Sequence, residues 1–559
     1  MRASPSNQRA ADRLAPFLVL GWLVLVAPAA AQQLGPPIPL IPPPSASSPN
    51  FSPPPLSHDD AVASEPLTPP AAAWNSGTPP RDPLPEAFWH GTSRAMVELL
   101  LARLPDTTSP ALQSLERRLL LSPAAAPEGP DAADQNLAAL RAAALLRLGE
   151  VDAARAVVAA IPEQEREPAL PLAVAADAIR GDTGRACATV RETVRHDQAS
   201  FWQTALITCQ ALQGEIEQAR LSLQLLAEEQ QGPQDEVLAA AVETLAGHSP
   251  PAPVNRADTL DPLMLRLLVL AHREFAPALI EALRPDLALC LALDDDAPPA
   301  TRLTAAERAA RYGALSPDRL RALYSTLTTA GGPRDGPVVD HAQHFAETSQ
   351  PGTSAERIAR IAGFADAFGG SQQGGFTLAA RLVLPALQEI EPDPSLVGSA
   401  PLAARLLIAA NDSWAARRWS KLVSGSQEHS LGLLLAPAAP REEPLRDPMD
   451  AQRPPLYVIL ASALGEPLAP TDWAGLPAAA WNVAGPPSPP AAAWLDLAEA
   501  ARAKRIGETV LAAIMVASPA GTLSADPVAL FTAVSGLRQV GLTADARRLA
   551  VEAALAAGL

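Results

Sequence analysis

The sequence predicts an all-α protein, and three observations lead to this prediction. Alternating runs of Val, Ile, Thr and Tyr, which favour strands, are nearly missing, and Tyr occurs only three times in 559 residues. After position 88, Gly and Pro separate short segments of helical character. Within these segments apolar residues recur at intervals of three and four, as in Met96, Leu99, Leu100, Leu101 and Leu104, and in Leu137, Leu140, Ala144, Leu145 and Leu148.

The composition excludes several classes of protein. The net charge is −17, whereas nucleic-acid-binding proteins usually carry a positively charged surface, so no nucleic-acid partner is expected. The 60 prolines follow no collagen-like triplet period, and no apolar run reaches the roughly 18 residues that span a bilayer. Three cysteines are too few for a disulfide-built scaffold.

The N-terminal segment, residues 1–31, is predicted to be a secretory signal peptide. Arginines at positions 2, 9 and 13 precede an apolar run at 17–27, and alanines at 29–31 follow it. Cleavage there would remove three arginines and one aspartate and change the net charge from −17 to −19. Arginine outnumbers lysine 41 to 2, a bias typical of GC-rich bacterial genomes, so the expected destination is the periplasm. A membrane contact is expected only if this segment is an uncleaved anchor.

Residues 32–86 are predicted to be a disordered, Pro-rich linker. They contain 17 prolines, separated by Ser, Ala and Asn. Because proline lacks the backbone donor and fixes φ, an extended chain is expected here rather than a helix or an inner strand. A tether and a Pro-rich ligand for another domain are the functional alternatives.

A repeated unit appears between positions 137 and 250 and again near the C-terminus. Each copy has an alanine five positions after a glycine, and an acidic residue lies between the two in every copy except the one at Gly247. Successive glycines are 32 to 34 residues apart: Gly149, Gly181, Gly214 and Gly247, and then Gly507 with Ala512 and Gly541 with Ala546. Such a glycine is expected to end a first helix in the left-handed conformation, and the small alanine permits close packing of the second helix.

This unit resembles the tetratricopeptide repeat, which has the same turn over a 34-residue period. The match is good for residues 137–161 and 201–226, the latter with Trp202, Leu206 and Ala219, and partial for 170–194 and 497–559. Between about 250 and 490 it lapses into irregular helical pairs, and residues 411–416 are only a degenerate copy. The resemblance implies an α-solenoid, spanning 87–435 and resuming in helical hairpins at 491–559, that binds peptides or proteins.

The whole chain also resembles uncharacterised Ala- and Pro-rich secreted proteins of alphaproteobacteria. Some of them are labelled antifreeze glycopeptide polyproteins. The chain has no tandem Ala-Ala-Thr array, so this label implies no function for it.

Prolines return in residues 436–490, which are predicted to form a loop region. Trp473 and Trp481 lie in it and Trp494 follows it, so these aromatic side chains are expected to anchor the loop on the solenoid. An aromatic surface for a peptide or a glycan is the alternative.

Cys187 and Cys209 are predicted to form a disulfide. Each lies 11 residues from position 198, the centre of the loop between two predicted helices, so an antiparallel hairpin places them at the same level. Two unbonded buried thiols are the alternative. Cys290 lies in an apolar run and is expected to be a core thiol.

Arg417 and Arg418, with Trp414 and Trp419 beside them, are the candidate partner-binding residues. Together with Lys421 they could bind an anionic group, although a helix with one solvated face is the simpler interpretation.

Three other patterns favour ordinary structural roles. Asp340, His341 and His344 have the spacing of two metal ligands, but no third ligand accompanies them, and a solvated helix is expected. The acidic run 294–296 is expected at a helix end. The Gly-rich stretch 369–375 lacks a following Lys and is expected to be a flexible loop. No cofactor, metal site or catalytic residue is therefore predicted.

The expected function is a non-enzymatic periplasmic scaffold that binds a protein or peptide of the cell envelope. An envelope enzyme that acts on glycans is the first alternative, and it would need a carboxyl group of raised pKa in a cleft. A structural spacer in the periplasm is the second.

Overall fold

A computed structural model describes residue 74, residues 78–129, 137–229, 236–249, 253–254, 257, 259–329, 336–369, 374–424, 434, 455–468, 470, 473 and 491–558. The predicted signal peptide and most of the predicted linker lie outside these residues, as do Trp481 and positions 370–373 of the Gly-rich stretch.

The described residues form 24 α-helices and no strand, which confirms the all-α class for this part of the chain. The helices are α1 (Arg94–Ala102), α2 (Pro110–Leu121), α3 (Leu137–Arg147), α4 (Val151–Ala159), α5 (Leu170–Ile179), α6 (Thr183–Thr193), α7 (Ser200–Leu212), α8 (Ile216–Glu229), α9 (Glu236–Leu245), α10 (Pro262–Leu270), α11 (Pro277–Ala282), α12 (Pro285–Ala292), α13 (Pro299–Arg311), α14 (Pro317–Thr329), α15 (Pro337–Thr348), α16 (Ser354–Gly369), α17 (Gly375–Gln388), α18 (Ala400–Ala409), α19 (Ser413–Ser420), α20 (Pro455–Ala463), α21 (Ala491–Arg502), α22 (Ile506–Ala517), α23 (Pro527–Gln539) and α24 (Thr543–Ala556).

The starts of the helices follow from short-range chemistry. At α2, the Ser109 hydroxyl accepts a hydrogen bond from the Leu112 amide at 3.3 Å, and Pro110 occupies the first turn. Asp182 caps α6 in the same way through the Arg185 amide at 3.1 Å. Proline is tolerated in a first turn because the amide it lacks has no partner there. The prolines that break the pattern along the chain therefore also start many of its helices.

The turns between paired helices contain left-handed glycines, as the repeated unit predicts. Such a glycine lies two residues beyond the ends of α3, α5, α7, α9 and α23, with φ angles between 75° and 90°: Gly149, Gly181, Gly214, Gly247 and Gly541. Each amide of the turn can then bond back to the last carbonyls of the helix. Asn411, with φ of 66°, takes this place between α18 and α19.

The prediction for Gly507 is wrong. The left-handed residue between α21 and α22 is Lys504, with φ of 61°, whereas Gly507 lies inside α22. A Cβ atom at Gly507 would lie 2.4 Å from the ring of Trp89 and 2.9 Å from Phe88. Glycine is required at this position by close packing of an aromatic pair against a helix, not by a turn.

Helices distant in sequence also pack together. Consecutive helices contact one another along the array, but α2 also packs against α22 and α24, α1 against α22, and α18 against α24. We call the α2 contacts with α22 and α24 the seam. An ion pair of 2.6 Å joins Arg118 of α2 to Asp545 of α24, and the Thr107 and Ser518 hydroxyls lie 2.8 Å apart. In an open solenoid each repeat contacts only its neighbours, so these contacts are additional to that architecture.

The predicted linker is ordered at its C-terminal end, which corrects the disordered assignment for that part. Trp74 is only 3% exposed, and its indole donates to the Ser122 carbonyl at 3.1 Å. The guanidinium of Arg141 lies over its ring, 4.6 Å from the centroid. Leu84 is buried as well, and its amide donates to the Ser122 hydroxyl at 2.8 Å. The segment packs against the helices because it contains large apolar side chains among its prolines. A prediction based on proline content alone does not take these side chains into account.

The predicted loop region, residues 436–490, contains the helix α20. Its apolar residues Tyr457, Val458 and Leu460 are buried, and Pro455 lies at its first position, where proline is tolerated. Trp473 remains 38% exposed, while the indole of Trp494 donates to the Thr532 hydroxyl at 3.0 Å. Trp494 therefore ties α21 to α23.

A disulfide joins α6 to α7. Cys187 and Cys209 are bonded, their Cα atoms are 5.5 Å apart, and both side chains are buried beside Trp202. Cys290 is a free, buried thiol, and burial raises its pKa to about 12. A thiol with such a pKa is unreactive, as expected for a core residue.

Gly149→Ala should destabilise the protein more than Gly214→Ala. Both residues are left-handed, which costs a residue with a Cβ atom about 1–2 kcal/mol. A Cβ at Gly149 would also lie 2.0 Å from the carbonyl oxygen of Ala314, whereas nothing lies within 4 Å of one at Gly214. We expect urea unfolding to show a loss of about 3 kcal/mol or more for Gly149→Ala and about 1–2 kcal/mol for Gly214→Ala. Equal losses would contradict the close approach of the two turns.

Thiol titration should detect one reactive cysteine in the unfolded, unreduced protein and three after reduction. Closing the 22-residue separation should stabilise the fold by about 3 kcal/mol, so the Cys187→Ala, Cys209→Ala double variant should unfold at a lower urea concentration. Cys290→Ala is the matched control, and it should leave no thiol before reduction. Three thiols in the unreduced wild type would exclude the bond.

Candidate functional site

The first cavity lies where the turns of several helix pairs meet, and it has a volume of about 700 Å³. Its walls come from α2, the turn between α3 and α4, the end of α5, the turn between α13 and α14, and the start of α17. The left-handed glycines at 149 and 313 line it, because only glycine lets these turns approach so closely. The glycine-containing turns thus form part of the wall of the cavity.

Most charged side chains of the first cavity are already paired. Arg117 bonds to Glu150 at 2.6 Å and donates to the carbonyl of Gly313 at 2.8 Å. Arg180 pairs with Asp152, and Arg311 pairs with Glu281 at 2.9 Å. Charges of both signs therefore line the wall.

The second cavity has a volume of about 630 Å³ and adjoins the first, since Pro110 and Arg381 line both. One wall is the face of α24, and the others are the start of α2, the middle of α17 and the turn between α18 and α19. This cavity exists because α24 packs against α2 and α18. The second cavity thus depends on the contact of α2 with α24, which an open solenoid would not have.

Arg381 lines both cavities. Its carbonyl accepts a hydrogen bond from Arg321 at 2.9 Å, but within the described segments its guanidinium has no hydrogen-bond or ion-pair partner. Burial lowers the pKa of Arg381, the charge of Glu552 opposes this shift, and the charge of Arg117 adds to it. A guanidinium this desolvated still carries its charge at neutral pH, so it favours an anion beside it.

Glu552 of α24 is held at the start of α2. Its Oε2 accepts a hydrogen bond from the Ala111 amide at 2.9 Å. Burial raises the pKa of this carboxyl to about 7, against the hydrogen bonds from Ala111 and Ser109 and the charge of Arg381. The carboxyl is therefore partly protonated near neutral pH, and it compensates only part of the positive charge around it.

The four predicted partner-binding residues do not form one surface. Trp419 is 2% exposed and belongs to the core, so its assignment to a binding surface is wrong. Trp414 is 70% exposed and stacks with Arg418, which pairs with Glu391. Arg417 lines the second cavity. Helical periodicity explains the separation, because residues five apart, such as 414 and 419, point to different faces.

His341 is buried, which corrects the prediction of a solvated helix at that position. Its Nδ1 lies 3.1 Å from Glu307 Oε1, and the Tyr324 hydroxyl donates to the same oxygen at 2.7 Å. Burial lowers the pKa of His341, but the bond to Glu307 and its charge outweigh burial, so the net shift is upward. This network joins α13, α14 and α15, and its three residues line neither cavity.

The acidic run 294–296 lies in the turn between α12 and α13, as predicted. Asp294 is buried in an ion pair with Arg266 at 3.0 Å, and Asp295 pairs with Arg302 at 2.7 Å. No group of three His, Cys, Asp or Glu side chains placed to hold a metal ion occurs in the part of the chain that the structure describes.

Sequence reasoning missed Arg381, Arg547 and Glu552. Arg547 and Arg548 are adjacent in the sequence and give a local basic signal that could have been found. Arg381 is a single charge in an apolar helix, and its importance depends on which helices surround it.

Comparison of the chain with protein-family models, with curated proteins and with solved structures gives no match. None of the helices in the described segments has the length and apolar character needed to cross a bilayer.

Glu552→Gln should weaken the pH dependence of stability. The folded-state pKa of about 7 lies above the ordinary value of 4.5, so the protonated carboxyl stabilises the fold at low pH, and this contribution is lost as the pH rises from 4.5 through 7. Its share of the slope is at most about 1.4 kcal/mol per pH unit, the value for one proton. We expect urea unfolding between pH 5 and 7 to show a smaller loss of stability in Glu552→Gln than in the wild type.

The exposed Glu192 of α6 provides the matched control, and Glu192→Gln should retain the wild-type slope. The same slope in all three proteins would contradict the raised pKa of Glu552.

Proposed function

We propose that the protein is a non-enzymatic, periplasmic helical-repeat scaffold that binds a protein or peptide of the cell envelope. The observation that carries this proposal is the first cavity, whose volume of about 700 Å³ lies within the roughly 300–1,000 Å³ of ligand-binding clefts. In this proposal the helix pairs are tetratricopeptide-like units of a solenoid, and the signal peptide at 1–31 directs export.

The lining of the first cavity supports a polypeptide as its occupant. Its ion pairs, Arg117 with Glu150 and Arg180 with Asp152, present both signs of charge, and apolar residues such as Leu289 line the same cavity. Arg319 is exposed at the same cavity, and its side chain has no partner among the described residues. A chain with alternating polar and apolar groups suits such a mixed wall better than a uniformly charged or apolar ligand does.

One observation favours the alternative of a glycan-acting envelope enzyme. Glu552 is a carboxyl group of raised pKa, about 7, in a cavity, as a general acid requires. A glycosidase also needs a second carboxylate across the cleft, and within the described part of the chain Glu552 is the single acidic residue that lines the second cavity. The scaffold is therefore the better proposal, and the spacer remains the outcome if nothing binds.

The proposal is tested by capture from periplasmic extract on the immobilised full chain, with bound proteins identified by mass spectrometry. Arg319→Glu should lower the amount of the specific partner about tenfold, because a like-charge contact in an interface costs over 1 kcal/mol. The exposed Arg195, which lines neither cavity, provides the control Arg195→Glu, and its capture should be unchanged.

A peptidoglycan sedimentation and turnover assay distinguishes the alternatives. Glycan turnover that is lost in Glu552→Gln would establish the enzyme and overturn the scaffold. If the wild type and Arg319→Glu capture the same proteins and neither turns over glycan, the first cavity is not the binding site.

A further inference from the structure

The second cavity combines an apolar wall with a concentration of positive charge. Ile408, Val551 and Leu555 provide apolar side chains from α18 and α24, and Leu434 adds a fourth. Arg381, Arg417, Arg547 and Arg548 line the same space. Ligand sites commonly have this arrangement, with an apolar body that buries most of the ligand and a few charged groups that orient it.

Three of these four guanidiniums have no partner within the described segments. Arg548 pairs with Asp545 at 3.3 Å, but the side chains of Arg381, Arg417 and Arg547 have neither a hydrogen bond nor an ion pair there. Arg547 and Glu466 line a smaller neighbouring cavity without forming an ion pair. Other arginines of this acidic chain are paired, for example Arg118 with Asp545 at 2.6 Å and Arg266 with Asp294 at 3.0 Å.

The carboxyl of Glu552 neutralises only part of this charge. It accepts a hydrogen bond from the Ala111 amide at 2.9 Å, and it is the single acidic side chain among the described residues that line the cavity. Among the described residues, three arginines without a partner and one engaged carboxyl therefore give the cavity a positive potential, which low-dielectric walls strengthen.

We propose that the second cavity binds an organic anion with an apolar body, whose carboxylate or phosphate group pairs with Arg381, Arg417 and Arg547 while its apolar body packs against Ile408, Val551 and Leu555. Arginine is suited to this task because its planar guanidinium binds both kinds of oxyanion in a bidentate manner. The site adjoins the first cavity and shares Arg381 with it, but the residues that test the two proposals are separate. Arg319 lines only the first of these cavities, and Arg417 and Arg547 line only the second, so either proposal can fail alone.

Isothermal titration of the full chain with decanoate and with decyl phosphate, both below their micelle concentrations, tests the proposal. At least one of them should bind saturably with one site per chain, and the one that binds identifies the anionic group. Decyl maltoside, which is neutral, and decylammonium, which is cationic, should bind at least tenfold more weakly. Inorganic phosphate alone should also bind more weakly, since it lacks the apolar body.

Arg547→Gln and Arg417→Gln should each weaken anion binding about tenfold, the effect of one lost charge-assisted hydrogen bond. Arg417 is exposed, so its substitution leaves the core unchanged, and circular dichroism verifies the fold of both variants. Arg195→Gln is the matched control and should bind as the wild type does.

The proposal is overturned if neither anion binds, if decyl maltoside or decylammonium binds as tightly as the anions, or if both cavity variants retain wild-type affinity. If inorganic phosphate binds as tightly as decyl phosphate, the proposed packing of an apolar body against Ile408, Val551 and Leu555 is wrong.

Discussion

The contact between α2 and α24 is the constraint on which the rest of the structure depends. Arg118 and Asp545 meet at 2.6 Å with little exposure, and Glu552 of the same last helix accepts a hydrogen bond from the start of α2. Asp545 also pairs with Arg548 at 3.3 Å, so the ion pair is part of a small network on α24. This contact joins residues more than 400 positions apart, and it places the face of α24 opposite α17 and α18. Without it, the second cavity would lose one wall.

The two cavities differ chemically although they share Arg381. In the first, Arg117 pairs with Glu150 and Arg180 pairs with Asp152, and both acidic residues follow Gly149 in the repeated unit. In the second, Arg548 pairs with Asp545, but Arg381, Arg417 and Arg547 have no hydrogen bond or ion pair from their side chains among the described residues. This difference is why we assign a polypeptide to one cavity and an organic anion to the other.

Local features could be predicted from the sequence, because local interactions determine them. The all-α class and the left-handed glycine at 149 follow from periodicity and from turn chemistry within a few residues. The role of Gly507 could not be predicted, since it depends on Trp89, which contacts it from the other end of the chain. His341 looked solvated because its own helix is polar, and Glu307, which lies 34 positions away, determines its burial. The cavities depend on such long-range contacts, so their residues could not be selected from one sequence.

The second cavity is formed by residues that lie far apart in the sequence, and this has a consequence for the stage of synthesis at which the cavity can form. Its walls include Pro110 and Leu555, so no chain truncated before α24 can contain the complete cavity. The first helix pairs, in contrast, can form as soon as their residues emerge, because their contacts are between neighbours. An anion that binds the second cavity would therefore bind only molecules in which α24 has been synthesised and has packed against α2, and its occupancy would report that these two distant helices had met.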